Sequence, residues 1–272
     1  MDIVLAVLTS SPYRESVATF ADDFASSLQG SVRVLTPAQL SAPATGSASV
    51  MDAQDQEQLL NRAEAQAEHD IGTSDSSTVV DGEWLVGPAV RECIREMAQC
   101  DFGVVGKTLH GALPEGQALG RQVLALKKSC TRPLIIVPQA VRPLRKVLFV
   151  YTNHPEAGHA LSLARPLSEA GKDISLFVAA PVLGPVELEG SGQAYLEEHR
   201  ISHKAVKYDC SQCDLEGGGA GPVGDILHLV KQEEIDLVVM GGTRRGFLGR
   251  MLWPEMAHEV AWNIQVPLLI WY

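Results

Sequence analysis

The sequence predicts an α/β protein made of two tandem copies of one domain. Short apolar runs of strand length alternate with helical patterns along its 272 residues, as they do in parallel sheets covered by helices on both faces. A block at 235–272 has the pattern strand, glycine-bearing loop, helix and strand, and a similar block lies at 101–137. A unit that occurs twice in one chain indicates a duplication.

The two blocks agree in residue type and in spacing. Asp101 and Asp236 each precede a buried apolar run, and Pro133 and Pro267 each stand near the start of a closing strand. The distance from aspartate to proline is 133 − 101 = 32 residues in the first block and 267 − 236 = 31 residues in the second. Because chance rarely gives such similar spacing, we interpret the halves as copies of one domain.

Each predicted domain contains five strands. We expect domains at 1–140 and 144–272, joined by a short proline-containing segment. The expected strands are 2–9, 31–35, a region at 79–86, 101–106 and 134–137 in the first domain, and 146–151, 174–179, 204–208, 236–241 and 266–272 in the second. The expected helices are 12–28, 51–69, one from Pro88, 116–129, 155–170, 195–200, 224–233 and one carrying Ala257, Val260 and Ala261. Each domain should therefore hold an open, mostly parallel five-stranded sheet with helices on both faces.

Composition narrows the class of protein. Hydrophobic residues make up 46% of the chain and charged residues 20%, which is typical of a globular protein. The net charge of −11 argues against general nucleic-acid binding, since phosphate contacts need a basic face. No apolar run is long enough to cross a bilayer, and residues 1–5 resemble a first strand more than a signal peptide. We therefore expect a cytoplasmic protein with no membrane or nucleic-acid partner.

The five cysteines do not form an evident metal or disulfide framework. Cys93, Cys100 and Cys130 fall in or beside helical patterns and are expected to be buried thiols. Cys210 and Cys213 form a CxxC motif in a loop, without a second ligand pair at zinc spacing. Two reduced loop thiols are the simpler interpretation, and a redox or metal sensor through this pair is the less favoured one.

Several segments of the chain resemble the universal stress protein family in its tandem two-domain form. They are residues 151–157 before the first helix of the second domain, Gly224-Asp225-Ile226 at the start of a later helix, and segments 236–241, 84–88 and 101–106. The resemblance implies two Rossmann-like universal-stress-type domains. It also implies that the domains pair through their last strands, Leu134–Val137 and Leu268–Trp271, as an internal pseudo-dimer.

Nucleotide-binding members of this family carry the motif G-x2-G-x9-G-[S/T] after the fourth strand. In the second domain, the resemblance places the motif positions on Gly241, Arg244, Pro254 and Glu255. Proline lacks the N–H group that would bind a phosphate, and glutamate would repel one. The acidic residue that contacts adenine after the first strand is replaced by Thr152. The second domain therefore lacks several groups that a triphosphate needs.

The first domain departs from the motif in a similar way. Gly106 matches the first glycine and Gly120 the third, but the hydroxyl position falls on Arg121, and residues 8–11 carry no acid. Basic residues in both loops could hold an anion by charge, or they could be solvated loop charges. The candidate cofactor-binding residues are Gly106, Lys107, Gly120, Arg121, Thr152, Gly241, Gly242, Arg244, Arg245 and Gly246.

The resemblance and the altered motifs together predict a non-enzymatic stress-response protein with weak or lost ATP binding. It would act through surfaces presented to an unknown protein partner, and a homodimer is a further option. One alternative is a switch of the same family in which one copy still binds AMP or ATP. A slow nucleotide hydrolase is disfavoured because the chain has no GxSxG motif, no HExxH motif and no other catalytic or metal constellation.

Overall fold

The computed structural model describes residues 2–9, 11–36, 88–109, 113, 119–151, 155–170, 174–182, 191–209, 222–241 and 253–271. The strands are β1 (Ile3–Val7), β2 (Ser31–Leu35), β3 (Phe102–Gly106), β4 (Leu134–Val137), β5 (Lys146–Val150), β6 (Ser175–Val182), β7 (Lys204–Asp209), β8 (Leu237–Gly241) and β9 (Leu268–Trp271). The helices are α1 (Arg14–Ser27), α2 (Pro88–Met97), α3 (Arg121–Ser129), α4 (Pro155–Leu161), α5 (Ala164–Glu169), α6 (Ser191–Glu198), α7 (Pro222–Gln232) and α8 (Trp253–Asn263). We call β1–β4 with α1–α3 the first half and β5–β9 with α4–α8 the second half.

The described strands form one continuous sheet in the order β2-β1-β3-β4-β9-β8-β5-β6-β7. Strands within each half are parallel, whereas β4 and β9 pair antiparallel, with Ile135 opposite Leu269. The α/β fold class predicted from the sequence is confirmed. The halves do not have separate sheets, however, because the last strand of one pairs directly with the last strand of the other.

The strands of the two halves follow the same order when they are counted outward from the β4–β9 pair. Reading outward from that pair, the first half runs β4-β3-β1-β2 and the second runs β9-β8-β5-β6-β7. The first-half counterpart of β7 was predicted at 79–86, and that region and the predicted helix 51–69 lie outside the described residues. Because the central pair is antiparallel, the carboxyl ends of the two sets of parallel strands lie at opposite edges of the sheet.

Two equivalent hydrogen bonds support the duplication. The Asp101 carboxylate oxygen Oδ2 accepts the N–H of Ile3 at 2.8 Å, and Oδ2 of Asp236 accepts the N–H of Lys146 at 3.0 Å. Each aspartate thus fixes the start of the first strand of its own half. Both aspartates lie at the amino ends of the parallel strands, away from the ligand edge.

Apolar side chains cover both faces of the sheet and pass from one half to the other. One layer packs α1, α4, α5 and α6 on the sheet, and the opposite layer packs α2, α3, α7 and α8. In the first layer, Phe102 makes edge-to-face contacts with Phe24 of its own half, at 5.2 Å between ring centroids, and with Trp271 of the second half, at 5.9 Å. The hydrophobic core is therefore shared by the halves.

The single helix predicted at 155–170 is two helices. Pro166 has no N–H group, so it cannot donate the main-chain hydrogen bond that would continue a helix through this point. The chain instead makes tighter turns, in which the N–H of Ser162 donates to the His159 carbonyl at 3.1 Å and the hydroxyl of Ser162 donates to the same oxygen at 2.6 Å. The result is α4, a short turn and α5. Other element ends differ from the predicted ones by a few residues.

We expect Leu269→Ala to lower the free energy of unfolding by about 2–5 kcal/mol, because it empties a buried position in the strand pair that joins the halves. Leu269 is fully buried, while Val34 on the outer strand β2 is 44% exposed and serves as a control. Val34→Ala should change the free energy of unfolding by no more than about 0.5 kcal/mol. Urea titrations followed by circular dichroism compare the two variants. Equal decreases in the free energy of unfolding would show that the β4–β9 pair adds little to stability.

Candidate functional site

The candidate residues of the first half come together at the carboxyl ends of β1 and β3. Ligands of doubly wound sheets lie at this kind of edge, where the strand order reverses. Gly106 ends β3, Lys107 follows it, Gly120 precedes α3 and Arg121 is the first residue of that helix. We call this place the first cleft. The turn from β1 into α1 borders it on the other side.

The backbone amide of Gly120 is already bound within the protein. Its N–H donates to the carbonyl of Lys107 at 2.7 Å, which closes the base of the loop between β3 and α3. A Cβ atom at Gly120 would lie only 2.8 Å from the hydroxyl oxygen of Thr108, so this position suits glycine. An amide at a helix start can bind a phosphate only if it is free to point at the ligand. The Gly120 amide therefore contributes to loop closure instead.

The ammonium group of Lys107 points to the second half of the molecule. Its Nζ donates to the carbonyl of Ile264 at 2.6 Å, and the residue is only 5% exposed. Ile264 directly follows α8, where unpaired carbonyls and the helix dipole favour a cation. Burial lowers the pKa of Lys107 from its ordinary value of 10.5. The charge that we predicted could hold an anion thus lies in the contact between the halves.

The side chain of Tyr13 packs directly on Gly106. A Cβ atom added to Gly106 would lie 2.4 Å from Cβ and 2.8 Å from Cγ of Tyr13. Tyr13 is 7% exposed, and burial raises the pKa of its phenol. Glycine at 106 therefore leaves room for the chain's own aromatic residue. Nothing in the sequence indicates this contact, because Tyr13 stands before α1 and is far from β3 along the chain.

Buried hydroxyl groups follow β1 where the resemblance implies an acid. The hydroxyl of Thr9 donates to that of Ser11 at 3.1 Å, and both residues are buried. The hydroxyl of Ser16 donates to the carbonyl of Tyr13 at 2.8 Å. These groups satisfy one another and the main chain, and none of them carries a charge.

Leu109 stands three residues after Gly106, where the family motif has its second glycine. Leu109 is fully buried and packs into the same core layer as Leu119 at the other end of the loop. Two buried leucines anchor the loop on the helical layer of α2 and α3. The signal for this anchor, which was not among the predicted site residues, is the leucine that stands three residues after Gly106 at the motif's glycine position.

The second-half candidates are described only in part. Gly241 ends β8 and pairs with Trp271 of β9. Thr152, Gly242, Arg244, Arg245 and Gly246 lie outside the described residues, so their role remains a prediction. A tyrosine is buried in this half as well: Tyr151 follows β5, and a Cβ atom added to Gly192 would lie 2.6 Å from its ring.

Cys93, Cys100 and Cys130 are buried thiols that form no disulfide among the described residues, as predicted. Cys130 lies 3.2 Å from the sulfur of Met97, and burial raises the pKa of Cys93 to about 12, with smaller contributions from Cys130 and Glu92. A thiol with so high a pKa is a poor nucleophile. Cys210 and Cys213 lie outside the described residues. Within the described ranges, no three His, Cys, Asp or Glu residues are grouped to hold a metal ion.

None of the helices in the described part of the chain combines the length and the apolar character that crossing a membrane requires.

The comparison with protein families gives one match. The model of the universal stress protein family matches residues 143–271, which include all strands of the second half. These residues belong to the universal stress protein family. The comparison with curated proteins found no match.

Two solved structures of universal stress proteins resemble nearly the whole chain, and a third resembles about half of it. One from Archaeoglobus fulgidus DSM 4304 covers 98% of this chain and 97% of its own, with 16% identity and a TM-score of 0.62. A putative universal stress protein from Pseudomonas aeruginosa UCBPP-PA14 covers 100% and 93%, with 15% identity and a TM-score of 0.55. A universal stress protein in complex with cAMP covers 47% of this chain and 97% of its own, with 16% identity and a TM-score of 0.33. The first two likenesses show that both halves have the universal stress protein fold.

We expect Gly106→Ala to destabilise the protein by about 1–3 kcal/mol, because the new methyl group would overlap Tyr13. Gly158 in α4 is a matched control, since a Cβ atom added there would meet nothing within 4 Å. Gly158→Ala should leave stability unchanged or raise it by up to about 1 kcal/mol, as alanine favours helices. Thermal unfolding of the two variants measures the difference, and a tolerated Gly106→Ala would contradict the close Tyr13 contact.

The Lys107 contact should make stability depend on pH. Because the folded-state pKa of Lys107 is below 10.5, the unfolded chain binds more protons than the folded one between that pKa and 10.5. The free energy of unfolding of wild type, minus that of Lys107→Met, should therefore rise with pH through this window and level off near 10.5. Urea unfolding of both proteins from neutral to alkaline pH measures the difference, and a constant difference would contradict the desolvated ammonium.

Proposed function

We propose that the protein is a non-enzymatic stress-response protein of the universal stress type, which acts through surfaces presented to a protein partner. In this proposal the first half does not hold ATP, and nucleotide binding by the whole chain is weak or lost. A cytoplasmic location is part of the same proposal. Membership of the family supports the general class, and the geometry of the first cleft supports the loss of nucleotide binding.

The main support for the proposal is that polar groups of the first cleft form hydrogen bonds within the protein. The Gly120 amide binds the Lys107 carbonyl, and the Lys107 ammonium binds the Ile264 carbonyl in the second half. Tyr13 packs on Gly106 where a ligand would need to approach the backbone. Arg121 is an exposed cation at the start of α3, but the neighbouring Gly120 amide, which could help to bind a phosphate, is used to close the loop. A triphosphate would therefore have to break several internal contacts.

The pairing of β4 with β9 supports the proposed internal pseudo-dimer. This pair covers two apolar strands that would otherwise be exposed edges. Both strands are thereby used within one chain, so a homodimer would have to use another surface. We propose that the partner-binding surface likewise lies away from this joint.

The main alternative is an AMP- or ATP-binding switch in which the second half holds the nucleotide. Gly241 keeps the first glycine of the motif at the carboxyl end of β8, and this favours the second half over the first. Pro254 and Glu255 in the first turn of α8 oppose phosphate binding, since one lacks an N–H group and the other is acidic.

Isothermal titration of the purified protein with ATP, AMP and cAMP tests the proposal. We expect no measurable heat of binding at nucleotide concentrations up to about 1 mM. Micromolar binding would support the switch and contradict the proposal. Arg244→Ala and Arg121→Ala would then locate the nucleotide, because each removes one cation from a different half. A phosphate-release assay with ATP would separately reveal a hydrolase.

A further inference from the structure

Tyr13 decides whether the first cleft accepts a ligand. We propose that its side chain occupies, within the chain itself, the space at the carboxyl ends of β1 and β3 where the ring of a ligand would lie. Shortening Tyr13 would open this space to a neutral nucleoside. The inference rests on the proposed function, since it explains why the first half does not bind nucleotides.

The main chain holds Tyr13 in place. Tyr13 is the residue before α1, and its carbonyl accepts hydrogen bonds from the Ser16 hydroxyl at 2.8 Å and from the N–H of Val17 at 2.9 Å. Its Cβ and Cγ pack against the Cα of Gly106, so the base of the aromatic ring contacts β3. These main-chain bonds therefore fix the Cβ of Tyr13 beside Gly106.

The surroundings of Tyr13 indicate which ligand could replace it. The turn that carries Tyr13 holds the buried hydroxyls of Thr9 and Ser11. They bond to each other, and each has a further acceptor site, and Ser11 a donor, for a polar ring or a sugar. Phosphate groups would gain little, because the Gly120 amide and the Lys107 ammonium are bound elsewhere. A planar base with an uncharged sugar fits this chemistry, and adenosine is a suitable probe.

Three variants of the full-length chain test the proposal. Tyr13→Ala removes the ring, Tyr13→Phe keeps the ring and removes only the hydroxyl, and Tyr195→Ala removes a half-buried tyrosine from α6 in the other half as a control. Each is titrated calorimetrically with adenosine, AMP and ATP. Circular dichroism and binding of p-cresol, which matches the missing side chain, show that Tyr13→Ala is folded and has an open cavity.

We expect Tyr13→Ala to bind adenosine at least about tenfold more tightly than wild type, with one additional site per chain. AMP and ATP should bind no more than about threefold more tightly than adenosine, because the Gly120 amide and the Lys107 ammonium are bound within the protein. Tyr13→Phe and Tyr195→Ala should behave like wild type. A folded Tyr13→Ala that binds p-cresol but not adenosine would overturn the proposal, and so would equal binding by Tyr13→Phe.

Two further outcomes are informative. If Tyr13→Ala does not fold, Tyr13→Leu replaces it, since leucine keeps apolar contact while leaving part of the ring's space empty; adenosine binding above wild type supports the proposal and its absence overturns it. If wild type itself binds one nucleotide, the proposed function fails, but a second site in Tyr13→Ala would still support the role of Tyr13. The count of sites per chain therefore separates the two failures.

Discussion

The antiparallel pairing of β4 with β9 is the contact on which the rest of the structure depends. Each of these strands ends the parallel set of its own half, and each is apolar and almost wholly buried. If they were unpaired, these strands would be exposed sheet edges that can pair with other chains. Their pairing merges the two sets of strands into one sheet and brings Trp271 against Phe102, so that the halves share a core.

This pairing also explains why the first cleft differs from an open ligand site. The antiparallel contact sets the carboxyl ends of β3 and β4 beside the amino end of β9, and so Lys107 lies within reach of Ile264. A cation at the end of α8 stabilises that helix and ties the β3–α3 loop to the second half. Lys107, whose charge could otherwise bind an anion, is thereby part of the contact between the halves.

The sequence predicted the architecture well, because apolar periodicity and Asp and Pro spacing are local signals. The bounds of β2 and β4 were predicted to the residue, whereas the break between α4 and α5 was missed because a single proline late in a helical pattern leaves the outcome open. The sequence also placed Gly106 at the end of a strand, while ligand-binding roles for Gly106 and Gly120 stay predictions. The partners of Lys107 and Gly106 could not be predicted, since Ile264 and Tyr13 are distant in sequence and only the folded sheet brings them together.

Native-state hydrogen exchange of the backbone amides, followed by NMR, tests most directly whether the two halves form one cooperative unit joined by β4 and β9. The structure predicts that the protected amides of both strands exchange with the same free energy, equal to that of global unfolding, and lose protection together as urea is added. Exchange of the β4 amides at a clearly lower free energy than those of β9 would show that the halves open separately, and would contradict the shared core.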